Sequence, residues 1–462
     1  MSHTTTSYDT THSPRIDRRT WLAAAATTAV ASTLPALSLG DSKKPRPRVA
    51  VVLTELTHRS HAHVLMENFV QPYYFNGELT DPGVDVVSMY VDQFPKDRDR
   101  ARVVAKQFSI PIYPSIGEAL CCGGERLDVD AVLSIGEHGT YPSTERGQRM
   151  YPRKRFFDEI VAVFRASERV VPVFNDKHLS YRWDWSAEMM ETAKELKIPF
   201  MAGSSVPLAQ RRPPLELADN VEMTEAVSIH GGPIESYDFH ALEVLQSFVE
   251  KRRGGETGIR DIQLIEGEAV WEAGKKGLWN YELAQAAMRA EAGKDVGPLE
   301  DYVEPKTGEK HPVHAILIRY RDGLRATILR MGHSSTRWNF ACKVKDSSKT
   351  KDSPKIEATS FYVGPWDNRN LFKALSHAIQ THFREKRAPY PVERTHLVTG
   401  MLASAMDSRF EDHSVKPTPH LNIAYQPRDF RAMREMGASW KILTEDIPEP
   451  EGISPHRGAT RH

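Results

Sequence analysis

The stretch that decides the fold reads Asp130-Ala-Val-Leu-Ser-Ile-Gly-Glu-His138, and its pattern returns at Val170-Val-Pro-Val-Phe-Asn-Asp-Lys-His178. Each part is a short apolar run that ends in polar and ionisable residues. A helical pattern over residues 156–166 separates them, so the order strand, helix, strand predicts two neighbouring parallel strands. Ligands of open parallel sheets bind beyond the carboxyl ends of the strands. The two polar clusters therefore mark the predicted site.

Further apolar runs on both sides of this stretch extend the pattern. Residues 49–53, 84–91 and 198–202 read as strands of the same sheet, and later segments such as 225–230 and 259–266 alternate like strands of a second sheet. The predicted fold class is α/β, with an N-terminal Rossmann-like parallel-sheet domain followed by an α+β domain with a mixed or antiparallel sheet. The expected division of the chain is a signal and linker, the Rossmann-like domain, the α+β domain and a loose tail, at residues 1–47, 48–210, 211–448 and 449–462.

Composition excludes several classes of protein. The chain has 462 residues, of which 40% are hydrophobic, and its 61 basic and 61 acidic residues give a formal net charge of +0. A balanced charge argues against a dedicated nucleic-acid binder and leaves a small-molecule partner as the expectation. The three cysteines, Cys121, Cys122 and Cys342, form neither a disulfide framework nor a zinc-binding pair.

The N-terminus carries an export pattern. Arg18 and Arg19 precede a weakly apolar stretch that is rich in alanine and threonine. This resembles a twin-arginine signal, with an ordinary secretory signal or a short anchor as alternatives. We expect an exported, periplasmic protein that has no membrane span after processing. Because this route exports folded proteins, often with a bound cofactor, the pattern is compatible with a cofactor.

The segment after the first strand lacks the glycines of a dinucleotide fold. In their place stands Thr54-Glu-Leu-Thr-His-Arg-Ser-His-Ala-His63, before a predicted helix. The amides of that helix can still face an anion, with Thr57, Arg59 or Ser60 helping. Thr54 and Ser60 are predicted cofactor contacts. Asp92, at the end of the second strand, either bonds a ribose hydroxyl or caps the next helix.

The histidines near the predicted site allow a second interpretation. Four of them are candidate metal ligands: His58, His61, His63 and His138. The alternative is that they line a cleft or make hydrogen bonds within loops. A metal-assisted enzyme is thus one hypothesis, although no metal is our main expectation.

The order of the segments resembles the Gfo/Idh/MocA family of glucose-fructose oxidoreductases and inositol dehydrogenases. The resemblance covers residues 48–265 and rests on DVDAVLSIGEHG, VPVFNDKHLS and GGPIESYDFH. Asp176 and Lys177 fall on the glutamate and lysine of the family's Glu-Lys-Pro motif. His240 falls on the family's catalytic histidine, whereas Ser236 stands where the family has an aspartate.

The resemblance implies hydride transfer between NAD or NADP and a carbohydrate or polyol, with Lys177 and His240 as catalytic residues. A variant keeps its cofactor bound and uses transient oxidation for glycoside cleavage or epimerisation. The remaining expected cofactor contacts are Gly136, Glu137, His138 and Asp176. The expected substrate contacts are Tyr237, Asp238 and Trp183, although packing against the crossover helix is the more usual role for a tryptophan such as Trp183.

Two further expectations concern the whole protein. A non-catalytic carbohydrate-binding or scaffold protein on a degenerate Rossmann-like fold is the alternative function, because the glycine-rich loop is missing. Since the family often uses its second sheet as an oligomer interface, a homo-oligomer is also expected. Asp92 favours NAD over NADP, because a carboxylate repels a 2′-phosphate.

Overall fold

The strands of the first sheet are short apolar runs buried on both faces, as parallel strands usually are. Residues 49–53 are all fully buried. The elements of this part of the chain are β1 (Arg48–Leu53), α1 (His61–Val70), β2 (Tyr73–Phe75), β3 (Glu78–Thr80), β4 (Asp85–Val91), α2 (Ala101–Phe108), β5 (Ile112–Tyr113), α3 (Ile116–Leu120), β6 (Ala131–Ile135), α4 (Arg153–Ser167), β7 (Val173–Asp176), α5 (Trp183–Glu195) and β8 (Phe200–Gly203).

The six-stranded sheet has the order β5-β4-β1-β6-β7-β8, and every neighbouring pair is parallel. The chain changes direction across the sheet between β1 and β6. Such a switch point opens a crevice beyond the carboxyl ends of the strands. Helices α3, α4 and α5 pack on one face of the sheet, whereas α1 and α2 pack on the other. The predicted Rossmann-like domain is confirmed.

A second sheet follows and is mixed, as predicted. Its eight strands have the order β16-β11-β12-β13-β10-β14-β15-β9, in which only β10 and β13 pair in parallel among the described residues. The elements are β9 (Gln210–Arg212), β10 (Met223–His230), α6 (Ser236–Val249), β11 (Ile259–Glu266), α7 (Glu268–Lys275), α8 (Tyr281–Ala292), β12 (His314–Tyr320), β13 (Arg325–Arg330), β14 (Trp338–Lys345), β15 (Pro354–Tyr362), α9 (Asn368–Glu385), α10 (Val392–Phe410) and β16 (Lys416–Pro417).

Helices cover both faces of the second sheet. Helix α6 lies on the inner face, and α7 and α8 lie on the outer face, where they share an apolar cluster with β10, β12 and β14. The outer face is therefore covered by this chain's own helices.

Helix α9 crosses back to the first sheet and packs on α1. Asn68 donates to Ser376 Oγ at 3.1 Å, and Gln380 donates to the Asn68 carbonyl at 2.8 Å. Tyr73 donates to Gln380 Oε1 at 2.7 Å. The first layer of helices is thus completed by a helix from the second half of the chain.

This computed structural model describes residues 45–303, 312–345 and 354–453, so the expected twin-arginine segment lies outside the described residues. No helix among these described ranges is long and apolar enough to cross a membrane. The first residues of the segment expected to be a loose tail are attached to the fold. Arg369 donates to the Gly452 carbonyl at 2.5 Å, and Gln107 donates to the Ile453 carbonyl at 2.9 Å.

Candidate active site

A cavity of about 330 Å³ lies where the carboxyl ends of β6 and β7 meet the start of α6 and the start of α9. Its wall combines ionisable groups with aromatic rings. The lining residues that matter below are Arg59, His61, Glu137, His138, Lys177, Ser236, Tyr237, His240, Trp338 and Asp367. A cavity of this size and mixed lining suits a small polar ligand.

Lys177 follows directly after β7 and points along the floor of this cavity. Its backbone is left-handed, with φ 62°. The Nζ atom lies 3.2 Å from Glu137 Oε1 and donates to the Ser236 carbonyl at 3.4 Å. An unusual backbone conformation thus places a single ammonium group, 4% exposed, at the meeting point of the two domains.

Glu137 is the central anion of the site. Burial by itself would raise its pKa, but the charges of Lys177 and Arg153 outweigh burial and hold the pKa well below its usual range. Arg153 also bonds His178 Nε2 at 3.0 Å. Glu235 lies 3.6 Å from the same nitrogen, and burial together with the Glu137 charge raises the pKa of Glu235 to about 7. The site therefore holds one strongly ionised carboxylate and one carboxyl that titrates near neutrality.

His61 and Asp176 form a dyad on the other side of the cavity. His61 Nδ1 lies 2.6 Å from Asp176 Oδ2, and Asp176 is 1% exposed. A buried carboxylate accepts a hydrogen bond from Nδ1 and so fixes the orientation of the ring, which lines the cavity. The sequence identified His61 only as a metal candidate and Asp176 only as a cofactor contact. Their pairing joins α1 to β7, and no spacing in the chain shows it.

His240 stands on the first turns of α6, as the resemblance implied. Its Nδ1 lies 2.6 Å from Ser204 Oγ. Burial and the neighbouring charge of Lys177 hold the pKa of His240 well below its usual range. His240 is therefore a neutral imidazole at physiological pH, with one of its ring nitrogens unprotonated.

Tyr237 and Trp338 form an aromatic wall. Their rings are stacked with centroids 4.9 Å apart, and both residues line the cavity. A Cβ on Gly232 would lie 1.9 Å from the Tyr237 ring, so glycine is needed there for the ring to sit where it does. Aromatic faces beside hydrogen-bonding groups suit the apolar faces of sugar rings. Sequence analysis missed Trp338, which comes from β14 and has no local signal.

Several predicted contacts do not reach the cavity. Thr54 is fully buried and donates to the Glu137 carbonyl at 2.6 Å. A Cβ on Gly136 would lie 2.7 Å from Arg153 Cγ, so this glycine serves packing. The Trp183 ring stacks on the His396 ring with centroids 4.5 Å apart, so Trp183 packs within the fold.

Asp238, a predicted substrate contact, is also fully buried and is bonded elsewhere. His230 Nε2 lies 2.9 Å and His314 Nε2 lies 2.7 Å from Asp238 Oδ1. This trio has the composition of a metal site, and it is the only such group found among the described residues. However, the Gly232 amide donates to His230 Nδ1, so the proton of His230 sits on Nε2 and points at Asp238. A protonated nitrogen is a hydrogen-bond donor and not a ligand, so the trio is a structural network.

The four histidines of the metal hypothesis do not converge. His63 Nδ1 accepts from the Arg59 amide at 3.1 Å, and His138 Nδ1 accepts from the His61 amide at 3.4 Å. Burial lowers the pKa of His138 to about 4. Within the described ranges none of them belongs to a group of three potential ligands.

Two more cavities continue from the main one along the switch-point crevice. One of about 300 Å³ shares Arg59 and His138 with the main cavity, and the next, of about 360 Å³, shares His58 and Arg98 with the second. Together they form a track across the end of β1, with space for an extended molecule such as a dinucleotide. This is the crevice in which parallel sheets of this order bind nucleotides.

The chemistry of the track differs from that of a glycine-rich loop. The backbone amides of Thr57 and His63 donate to Ser60 Oγ. Those of Arg59 and His61 donate to the Nδ1 atoms of His63 and His138. Arg98 and Arg100 line the far end of the track, together with Asp97 and Asp99. Within the described part of the chain, neither of these arginines has a carboxylate within salt-bridge distance. Both guanidinium groups can therefore pair with an anionic ligand in the track.

Asp92, the predicted ribose contact, already has three donors. Tyr90 and Tyr141 donate to it at 2.7 and 2.5 Å, and Arg155 lies 2.5 Å away. Burial opposes these bonds, which nevertheless lower the pKa of Asp92. Its carboxylate is bonded to β4 through Tyr90, to α4 through Arg155 and to the segment between β6 and α4 through Tyr141.

No protein-family model matches the chain, and no curated protein matches it. Solved structures do. GenD2 from gentamicin A biosynthesis, in complex with NAD, has a TM-score of 0.50 and 13% identity, and covers 82% of this chain and 98% of its own. Myo-inositol 2-dehydrogenase from Lactobacillus plantarum has a TM-score of 0.48 and 10% identity, over 81% and 99%. An Agrobacterium radiobacter oxidoreductase in complex with NAD+, L-tartaric acid and magnesium has a TM-score of 0.48 and 11% identity. The match covers 81% of this chain and 98% of the oxidoreductase.

The likeness to GenD2 concerns the fold. At 13% identity it shows the fold alone, a Rossmann-like domain followed by a mixed-sheet domain. The class that fold and site define is therefore a two-domain Rossmann-like α/β protein with a cavity lined by ionisable groups where the two domains meet.

Proposed function

We propose that this chain is an oxidoreductase of the Gfo/Idh/MocA type that transfers hydride between NAD or NADP and a carbohydrate or polyol. The observation that carries the proposal is the position of Lys177, whose Nζ is held 3.2 Å from Glu137 Oε1 on the cavity floor beside His240. An ammonium beside a neutral imidazole is an arrangement that can remove a proton from a hydroxyl group and stabilise the resulting oxygen.

The chain's own residues would divide the work as follows. The Lys177 ammonium donates to the reacting hydroxyl oxygen. His240, whose Nδ1 is hydrogen-bonded with Ser204 Oγ, accepts the hydroxyl proton at Nε2. Tyr237 and Trp338 support the substrate ring and exclude water from one side. When bound, the nicotinamide group supplies the hydride acceptor or donor.

The His61–Asp176 dyad gives this cavity a second proton acceptor. Its presence supports the variant in which oxidation is transient, because cleavage or epimerisation next to an oxidised carbon requires a second proton transfer. The Asp176 carboxylate positions the His61 ring through its Nδ1.

A non-catalytic carbohydrate-binding protein is the second candidate. It is favoured by the engagement of the turn amides and of Asp92 with the chain's own side chains. The aromatic wall would then be the binding element, without hydride transfer.

The first measurement is the cofactor content of the purified protein, by mass spectrometry after denaturation. NAD(H) or NADP(H) near one per chain supports the oxidoreductase. An empty protein that shows no thermal shift with either dinucleotide supports the binding-protein alternative.

Lys177→Ala tests the catalytic assignment. We expect turnover with a panel of polyols and sugars to fall by about 10²–10⁴-fold, because the group beside the reacting oxygen is lost. Lys194→Ala, at an exposed lysine of α5, is the matched control and should keep full activity. Unchanged turnover in Lys177→Ala, measured by nicotinamide absorbance, would disprove the role of Lys177.

We also propose that the chain is exported to the periplasm through its paired arginines. Fusion of residues 1–47 to a reporter that is active only outside the cytoplasm tests this, with Arg18→Lys and Arg19→Lys together as the control. Export that is unaffected by the double substitution would exclude the twin-arginine route.

A further inference from the structure

Arg59 stands at the junction of the main cavity and the crevice track, since it lines both cavities. Its backbone is left-handed, with φ 60°, in the turn where a dinucleotide fold commonly has glycine. The guanidinium is held by two carboxylates. Its Nε donates to Glu449 Oε1 at 3.1 Å and its Nη2 bonds the other oxygen of Glu449, while Asp367 Oδ2 lies 3.3 Å from Nη1.

Glu449 belongs to a segment that we call the C-terminal strap, residues 447–453. The strap is held by the buried Arg369, which is 1% exposed and donates to the carbonyls of Pro450 and Gly452. Trp366 Nε1 donates to the Ile447 carbonyl at 2.9 Å. The strap therefore lies beside the track and presents a carboxylate to the arginine at its junction.

We propose that Arg59 is a phosphate-binding residue of the dinucleotide and that Glu449 of the C-terminal strap competes with the phosphate for it. This inference rests on the proposed function. A guanidinium makes the same paired bonds with a phosphate as with a carboxylate. Since the nearby turn amides are already bonded within the chain, a phosphate in the track needs a side-chain donor.

The exchange leaves no buried charge without a partner. When Arg59 moves from Glu449 to a phosphate, the Glu449 carboxylate keeps Arg369 Nη1, which lies 3.2 Å from its Oε1. Arg98 lines the same part of the track and adds positive charge there. The strap thus sets the affinity for the dinucleotide without blocking the cavity.

Calorimetric titration of the full chain with NAD, NADP and ADP tests the competition. Glu449→Gln keeps the shape of the side chain but loses its charge, so we expect the Kd to fall by about threefold to tenfold. Arg59→Gln loses the phosphate contact, and we expect the Kd to rise by at least about tenfold. In the double variant the Glu449 substitution should have no further effect on the Kd, because the arginine for which Glu449 and the phosphate compete is gone.

Glu222→Gln is the matched control, because Glu222 pairs with the exposed Arg253 on another surface. It should leave the Kd unchanged. Hydrogen exchange gives a second readout: NAD should speed exchange of the strap amides in the wild type and not in Glu449→Gln.

The two levels of the proposal fail differently. A wild-type chain that binds none of the three nucleotides overturns the proposed function. A wild-type chain that binds NAD with a Kd that is insensitive to both Arg59 and Glu449 overturns the competition alone.

Discussion

Five non-glycine residues at and around the main cavity have a positive φ angle. The φ values are 60°, 71°, 62°, 68° and 48° for Arg59, His138, Lys177, Glu235 and Asp367. Such conformations cost about 1 kcal/mol or more each and persist only where the surroundings impose them. Their concentration at one place supports the assignment of this place as the functional site, independently of any motif.

Glu137 should contribute to stability as well as to the site, because its partners are buried cations. Glu137→Gln leaves the buried cations Lys177 and Arg153 without their carboxylate, so we expect the free energy of unfolding to fall by about 3–5 kcal/mol. The exposed pair of Arg155 and Glu159 provides the control. Glu159→Gln should change the free energy of unfolding by less than about 1 kcal/mol. Urea unfolding measures both; equal effects would contradict the central role of Glu137.

Glu243, on α6, makes stability depend on pH. Burial raises its pKa to about 7, against the opposing charge of Arg394, whereas an unfolded glutamate titrates near 4.5. Between these values the unfolded chain loses the proton and the folded chain keeps it, so this group lowers stability as pH rises.

Glu243→Gln should remove this dependence, since the amide still accepts from Thr395 Oγ1. We expect the variant to equal the wild type near pH 4 and to exceed it at pH 8 by about 2–3 kcal/mol. Thermal unfolding across this pH range measures the difference. A constant difference between the two proteins would exclude the titration of Glu243.

At the scale of elements, the turn between β10 and α6 controls the aromatic wall. Gly232→Ala would place a Cβ 1.9 Å from the Tyr237 ring, so the ring must leave its stack on Trp338. We expect a loss of about 1–3 kcal/mol in stability and weaker carbohydrate binding. Gly117→Ala, inside α3 with no neighbour closer than 3.9 Å, is the control and should be neutral or stabilising. Calorimetric titration of both variants with a panel of sugars tests this. Unchanged binding in Gly232→Ala would show that the aromatic wall does not contact the ligand.

The elements of the first sheet were predictable because buried parallel strands are short apolar runs, and because polar residues at their ends lie at one edge. Lys177, Glu137 and His138, which follow two of these strands, line one cavity. Pairings between distant elements were not predictable. Trp338 joins the cavity from β14, and the strap meets Arg59 across 390 residues of chain. Neither contact is marked by a periodic pattern or a residue spacing in the sequence.

At the scale of the whole molecule, the second sheet bears on the expectation of a homo-oligomer. The face that a sheet of this kind would offer to a partner is covered by α7 and α8. We therefore expect any homo-oligomer to form through another surface. Light scattering with cross-linking mass spectrometry tests this, and cross-links between copies that map to the covered face of β10 or β14 would contradict it.

The two domains should unfold together. The described part of residues 46–462 is one compact unit, and a single apolar cluster includes β1 of the first sheet and β12 of the second. We expect one calorimetric transition, because no boundary separates two independent cores. Two resolved transitions, or a stable fragment of residues 48–210, would contradict this.

The return of α9 to α1 has a consequence for the order of events during synthesis. A ribosome that has released residues 48–210 has made all six strands of the first sheet, but not the helix that covers part of its surface. The nascent Rossmann-like half must therefore wait, with the apolar side of α1 unprotected, until residue 385 has left the exit tunnel. Because translation adds about 5–20 residues per second, this interval lasts on the order of ten seconds or more. During that interval the emerging chain depends on chaperones more than a domain that folds from its N-terminus alone.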